Sequence, residues 1–185
     1  DFGQLYALLI IREGLSITDD TWGYDNSKNV SGVEDVCRHW RKIACDDNKR
    51  KVTMMHLANV TDLKGTIPFE ISGLIHLQRL EIYSNDGLTG TLPPAMATLQ
   101  DMQYLYLHST SVESTIPSQF ADLVNLKELF LSHTSLSGSM PDGVCELRKG
   151  GTLEVIHADC GGPTPPRVAC PFPECCTNCY HWDES

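Results

Sequence analysis

The chain has 185 residues, of which 41% are hydrophobic and 21% charged, and its formal net charge is −10. That length suits one domain, and the composition excludes a disordered chain. The acidic balance excludes general nucleic-acid binding, which needs a basic surface, and no apolar run reaches the ~18 residues of a membrane span.

Residues 2 to 15 have the periodicity of an amphipathic helix, with Leu5, Leu8, Leu9, Ile11 and Leu15 on its apolar side. Thr21 to Gly32 is rich in Asn, Asp and Gly and reads as a loop. Cys37-Arg-His-Trp40-Arg-Lys-Ile43-Ala-Cys45 follows. The Trp40 ring is expected to bury a large apolar area, and Cys37 with Cys45 to close the loop around it. Arg38, Arg41, Lys42, Lys49, Arg50 and Lys51, interrupted by Asp46 and Asp47, form the only basic cluster. It reads as a solvated surface, with a polyanion site as the rival. Residues 1–51 are taken together as a cap.

From residue 52 to 147 one pattern recurs. Leu74, Leu77, Leu80, Ile82, Asn85, Leu88, Gly90, Leu92 and Pro93 are followed in the same order by Leu99, Met102, Leu105, Leu107, Thr110, Val112, Ile116 and Pro117. Leu123, Leu126, Leu129, Leu131, Thr134, Leu136, Gly138, Met140 and Pro141 repeat it, and Met55, Leu57, Leu63, Gly65, Ile67 and Pro68 are an earlier copy. Pro93, Pro117 and Pro141 are 24 residues apart, while Pro68 precedes Pro93 by 25. Such a period with this apolar spacing is the leucine-rich-repeat signature. In each Leu-x-Leu the apolar pair points inward and the middle residue outward, as a short strand requires. One unit cannot bury its apolar face alone, so neighbours stack into a solenoid with a parallel sheet on the concave face. The Asn position after the strand serves backbone groups in the turn. Only Asn85 holds it cleanly, and Thr110 and Thr134 replace it. A hydroxyl has one donor against two for an amide, so the later coils are expected to have a thinner hydrogen-bond ladder.

The fold class is therefore α/β, a right-handed leucine-rich-repeat solenoid of four repeats over 52–147. A helical cap covers 1–51, and a last partial repeat with a cysteine-rich cap covers 148–185. The Cys-Trp-Cys segment with its preceding helix resembles the amino-terminal cap of plant-type leucine-rich-repeat ectodomains. Leu63-Lys-Gly65-Thr-Ile67-Pro68, Leu88-Thr-Gly90-Thr-Leu92-Pro93 and Leu136-Ser-Gly138-Ser-Met140-Pro141 resemble that subtype too. The copy at Val112-Glu-Ser114 departs, with Ser where Gly is usual. The resemblance covers about residues 2 to 160 and implies a second, shorter strand on the flank. The ending, Ala158-Asp159-Cys160 and a cysteine-rich tail, resembles secreted or membrane-anchored leucine-rich-repeat proteins of diatoms. Ile156 falls 27 residues after Leu129, placing a small insertion near Lys149-Gly150-Gly151. Gly161 to Pro166 is expected to end the repeat geometry.

Eight cysteines, Cys37, Cys45, Cys145, Cys160, Cys170, Cys175, Cys176 and Cys179, read as four disulfides of an exported chain. Cys37–Cys45 is the expected pairing. The other six allow 15 connectivities, among which the sequence does not choose. A metal site in Cys175-Cys-x-x-Cys179-x-His181 is the sharper rival, but adjacent cysteines fit one tetrahedron poorly, so no metal or cofactor is expected. Export implies a removed signal peptide, and any membrane anchor would lie outside these residues. Asn29-Val-Ser31 and Asn59-Val-Thr61 match the glycosylation sequon. For Asn59 an inward amide serving the turn is weighed equally against a sugar.

The outward strand positions can be placed in columns. His56, Glu81, Tyr106, Phe130 and His157 form one; Met54, Arg79, Tyr104 and Glu128 lie on one side, and Ala58, Tyr83, His108 and Ser132 on the other. Large aromatics at solvent-facing positions, with Arg, are the residue types of binding hot spots. The bland alternative is that they pack on each other. The candidate ligand-binding residues are therefore His56, Arg79, Glu81, Tyr83, Tyr104, Tyr106, His108, Glu128, Phe130 and His157. Five strands at roughly 4.8 Å give a face about 20 Å wide. With three outward residues per strand it offers roughly a few hundred Å², below the ~800 Å² per partner of a standard interface, so it suits a peptide, a glycan fragment or one protruding element of a protein. No nucleophile elbow, phosphate loop or His-Glu-x-x-His motif is present, and the chain reads as a non-enzyme. The resemblance implies an extracellular recognition module: a receptor or co-receptor ectodomain, or a secreted protein with a receptor partner. The alternatives are an inhibitor of a foreign wall-degrading enzyme and a non-binding structural or adhesion wall protein.

Overall fold

The computed structural model describes residues 2–18, 22, 31–162 and 167–181. Asn29 and most of the Thr21–Gly32 stretch lie outside them. Each coil begins with a short strand of the concave sheet: β2 (Val52–His56), β4 (Arg79–Glu81), β6 (Tyr104–Tyr106), β8 (Glu128–Phe130) and β10 (Val155–Ala158). These pair in parallel, in the register the repeat demands: Met55, Leu80, Leu105, Leu129 and Ile156 align and are all buried. The flank carries β3 (Gly65–Thr66) on β5 (Leu88–Thr89), and β7 (Glu113–Thr115) on β9 (Ser135–Ser139). The return side of three coils is a 3-10 turn, at Phe69–Gly73, Pro94–Thr98 and Ser118–Asp122, each entered after a proline in extended conformation. In the next coil this element is a true helix, Asp142–Lys149, and the three extra residues expected near Lys149 are taken up there.

The amino-terminal cap joins the solenoid in two ways. Helix α1 (Phe2–Gly14) packs on the first 3-10 turn and buries Ala7, Leu8 and Ile11, followed by Leu15. Leu9, expected on that side, is instead 41% exposed, because the buried stripe follows positions 4, 7, 8, 11 and 15. The buried Gln4 amide accepts from Val52 N–H at 2.9 Å and donates to the Arg50 carbonyl at 3.2 Å, which satisfies the edge of β2. Gly65 lies at φ 115°, and a Cβ there would overlap the Gly14 carbonyl oxygen, so only glycine lets the end of α1 meet the flank. Helix α2 (Val33–His39) leads to Trp40, which is buried against Trp22 with ring centroids 4.7 Å apart. The Cys37–Cys45 disulfide closes this segment, and β1 (Ile43–Cys45) adds to β2 antiparallel. The basic cluster is solvated: Asp46 accepts from the Arg50 and Lys51 amides, and Glu34 approaches Arg38 and Arg50.

At the other end the expected stop after residue 161 does not occur. The chain continues the coil: β11 (Val168–Ala169) extends the flank sheet from β9, and β12 (Asn178–Cys179) pairs with β10. The concave sheet therefore has seven strands, in the order β1-β2-β4-β6-β8-β10-β12. Disulfides Cys145–Cys175, Cys160–Cys179 and Cys170–Cys176 hold this end. All eight cysteines are thus paired, so no thiol in Cys175-Cys-x-x-Cys179 is free for a metal.

The turn after each strand shows how the Asn position works. The Asn85 amide donates to Leu57, Ile82 and Tyr83 carbonyls at 2.8 to 3.0 Å and accepts from Val60 N–H at 2.8 Å. Thr110 and Thr134 each donate only to the carbonyl three residues back, so the ladder thins as expected. Buried Asp159 closes it by accepting from His133 and Thr134 N–H at 2.7 and 3.0 Å. Asn59 is exposed, at φ 51°, which overturns the inward amide. Its backbone conformation is shared by Ser84, Ser109 and His133 at φ 54–55°, one per coil. On the flank, Ser114 at φ 78° copies the conformation of Gly90 at 76° and Gly138 at 89°.

Candidate functional site

The register brings the expected columns together. Met54, Arg79, Tyr104 and Glu128 align on neighbouring strands, as do His56, Glu81, Tyr106, Phe130 and His157. Backbone hydrogen bonds Asn59 N–H to Tyr83, Ser84 N–H to His108 and Ser109 N–H to Ser132 set the third column in line. A further column precedes them: Thr53, Gln78, Gln103, Lys127 and Glu154 are joined amide to carbonyl at 2.7–2.8 Å. Sequence reasoning missed it, although its polar residues sit one position before the strands at the repeat spacing.

The rings form a ladder along the solenoid. Tyr106 stacks on Phe130 with centroids 4.6 Å apart and planes 18° apart, and Phe130 stacks on His157 at 4.1 Å and 2°. Tyr180, just after β12, continues it against His157 at 5.3 Å and also meets the His133 ring at 5.3 Å. Beside it Tyr83 stacks on His108 at 4.6 Å and 10°. The Arg79 guanidinium lies 3.8 Å over the Tyr104 ring, a cation–π contact. The rings pack on one another, as the bland alternative required, and by doing so they hold one rigid surface. Stacking covers both faces of Phe130 and one face of Tyr83, and Arg79 covers one face of Tyr104.

The charges on this face are largely matched within it. Glu81 is buried between His56, which hydrogen-bonds its carboxylate, and Arg79, which donates to it at 2.9 Å. Burial raises the carboxyl and lowers the guanidinium, but the Arg79 and His56 bonds more than offset this. Glu81 lies below its ordinary value and Arg79 above. The Tyr106 hydroxyl donates to Glu128 at 2.6 Å, and burial followed by that bond pushes the phenol up to about 12. Burial lowers His108, with His157 and His133 adding to the effect. Burial also lowers His157, opposed by Glu128. Among the described residues His108 Nδ1 is buried without a hydrogen-bond partner, which adds to the cost of a second proton. Asp159 faces backbone amides, and the His157 ring stacks on Phe130.

The Leucine Rich Repeat family model matches residues 125–147. Polygalacturonase inhibitor 1 of Oryza sativa subsp. japonica is 32% identical over 108 residues, covering 57% of this chain and 30% of the rice protein. The ectodomain of the plant membrane receptor kinase GASSHO1/SCHENGEN3 from Arabidopsis thaliana, solved in complex with CASPARIAN STRIP INTEGRITY FACTOR 2, superposes with a TM-score of 0.69 at 27% identity. That match covers 82% of this chain and 18% of the receptor chain. The fold is a leucine-rich-repeat solenoid, similar to those of plant receptor ectodomains. The crystal structure of PEPR1-AtPEP1 matches the solenoid with a TM-score of 0.67 at 25% identity, covering 83% of this chain and 21% of that one. The solenoid thus spans a third or less of the length of each of these relatives.

Proposed function

We propose that this solenoid is an extracellular, non-catalytic recognition module that binds an extended peptide segment of a partner along the concave face. The observation that carries the reading is the ring ladder from Tyr106 to Tyr180 beside the matched Arg79–Glu81–His56 cluster. Such a surface is rigid before the ligand arrives, so little side-chain entropy is lost on binding. Sugars stack on open ring faces, and stacking already takes both faces of Phe130 at the centre of the ladder, so the arrangement favours a peptide over a glycan fragment. Ring edges carry partial positive charge and complement backbone carbonyls. Seven strands at about 4.8 Å give a track of roughly 30 Å, long enough for about nine extended residues. The receptor ectodomain solved with CASPARIAN STRIP INTEGRITY FACTOR 2 supports a receptor or co-receptor setting. The rice relative's name supports a second reading, inhibition of a polygalacturonase-type enzyme.

Binding to an array of extracellular peptides, wall oligosaccharides and a purified polygalacturonase separates these readings. The expected result is peptide binding that falls at least about 30-fold in a Tyr106→Ala, Phe130→Ala double variant, as for a central hot spot. Peptide binding that survives in the variant, or binding to oligosaccharide alone, overturns it. Inhibition of the enzyme establishes the second reading.

A further inference from the structure

The three carboxy-terminal disulfides are not equivalent. Cys145 and Cys175 are fully buried, and Cys176 is nearly so. Cys179 is exposed and its partner Cys160 partly so. The sulfurs of Cys160 and Cys179 and that of Cys170, which belongs to a different bond, all lie within 4.8 Å of one another. A thiolate released at Cys160 is therefore born beside the sulfur of the neighbouring disulfide.

We propose that this cap is a thiol-triggered disulfide isomer switch, in which Cys160–Cys179 and Cys170–Cys176 exchange to Cys160–Cys170 and Cys176–Cys179. A small external thiol of the glutathione class starts it. Its thiolate attacks Cys179 Sγ, forms a mixed disulfide there and expels Cys160 as thiolate. The Cys160 thiolate attacks Cys170 Sγ, forms Cys160–Cys170 and expels Cys176. The Cys176 thiolate then attacks the mixed disulfide at Cys179 and returns the external thiolate. Two disulfides are present before and after, no electrons are consumed, and the thiol is a catalyst.

The product bond spans Cys176-Thr-Asn-Cys179, the Cys-x-x-Cys spacing of redox motifs. Bridged cysteines need Cα atoms within about 7 Å, whereas three extended residues span about 10 Å. Closing this bond therefore bends the chain where β12 now runs extended beside β10. Cys179 leaves the strand and takes Tyr180 with it. Tyr180 is the last ring of the ladder, so the exchange shortens the concave track from its open end. That consequence rests on the concave-face reading, whereas the exchange itself does not.

The test is incubation of the native protein with sub-stoichiometric reduced glutathione at mildly alkaline pH, acid quench, and disulfide mapping by mass spectrometry, with no ligand present. The expected result is Cys160–Cys170 and Cys176–Cys179 peptides that accumulate while Cys37–Cys45 and Cys145–Cys175 persist, with exchange on the order of tenfold faster than at the buried bond. Glutathionylation at Cys179 without the new pairs, or equal scrambling of Cys145–Cys175, overturns it. A Cys176→Ser variant gives a second reading without added thiol. Its unpaired Cys170 should capture Cys160, leaving Cys179 as the alkylated thiol; alkylation at Cys170 overturns the proposal. Loss of peptide binding in the exchanged form would be measured separately, so failure of the concave-face reading leaves the mapping result standing.

Discussion

The two ends of the solenoid solve one problem with different chemistry. A terminal coil leaves half its apolar face uncovered, and the amino-terminal end covers it with a helix, two tryptophans packed on each other and one disulfide. Among the described residues the carboxy-terminal end buries smaller side chains, such as Leu153, Ile156 and Val168. It uses two-residue strands, β11 and β12, pinned by three disulfides within residues 145–179. The first end is stabilised by area removed from water, the second by restricting the unfolded chain. They should therefore respond to different insults.

Trp40→Ala gives the largest expected effect, about 4 kcal/mol, because it removes a fully packed ring and leaves Trp22 facing a cavity. Chemical denaturation measures it, and a loss under about 1 kcal/mol would mean that α1 alone caps that end. The Cys145→Ala, Cys175→Ala pair should cost about 3 kcal/mol, since it opens a loop closed over a sequence separation of 30. Hydrogen exchange should place that loss in β10 to β12, with β1 and β2 still protected; uniform loss would show that the two ends are not independent.

Acid should weaken the concave face from β4 to β10 rather than the amino-terminal cap. His108 and His157 lie below their ordinary value of 6.5 when folded, so the unfolded chain binds more protons below that pH. Their contribution is complete above about pH 6.5 and is lost as pH falls through the folded values. Glu81, lowered from 4.5, contributes above that pH and is lost at lower pH, so the second decline lies deeper in acid. His157→Gln should reduce the first decline and spare the second, read from melting temperatures across pH 7 to 3. The smallest effect is a gain. Ser114→Gly should stabilise by up to about 1 kcal/mol, because a side chain at φ 78° is strained where its counterparts are Gly90 and Gly138. No change in midpoint would mean that the unfolded-state entropy of glycine cancels the relief.

The central coils are legible in the sequence because their side chains alternate with period two and recur at a fixed spacing. On that spacing Tyr106 and Phe130 fall into one column, and the alternation around Ile156 adds His157 across the insertion. The ends are harder to read for physical reasons. Strands of two residues, such as Val168–Ala169 and Asn178–Cys179, carry no alternation to detect. Gln4 satisfies Val52 and Arg50 from more than 40 positions away, and local patterns hold nothing of that. Tyr180 follows a proline run that breaks the repeat pattern, so the spacing does not mark it as the last rung of the ladder. The pairing of the six carboxy-terminal cysteines depends on three-dimensional distance alone.

The row of left-handed residues Asn59, Ser84, Ser109 and His133 has a consequence for how such a chain can change over time. Each occupies the same backbone bend along one rim, and the side chains of Asn59, Ser84 and His133 are exposed there. Asparagine and histidine are among the side chains that tolerate this bend best. The fold thus demands a shape at these places and leaves the chemistry open. A substitution there can redecorate the rim of the concave face while the geometry of every coil beneath it is inherited unaltered.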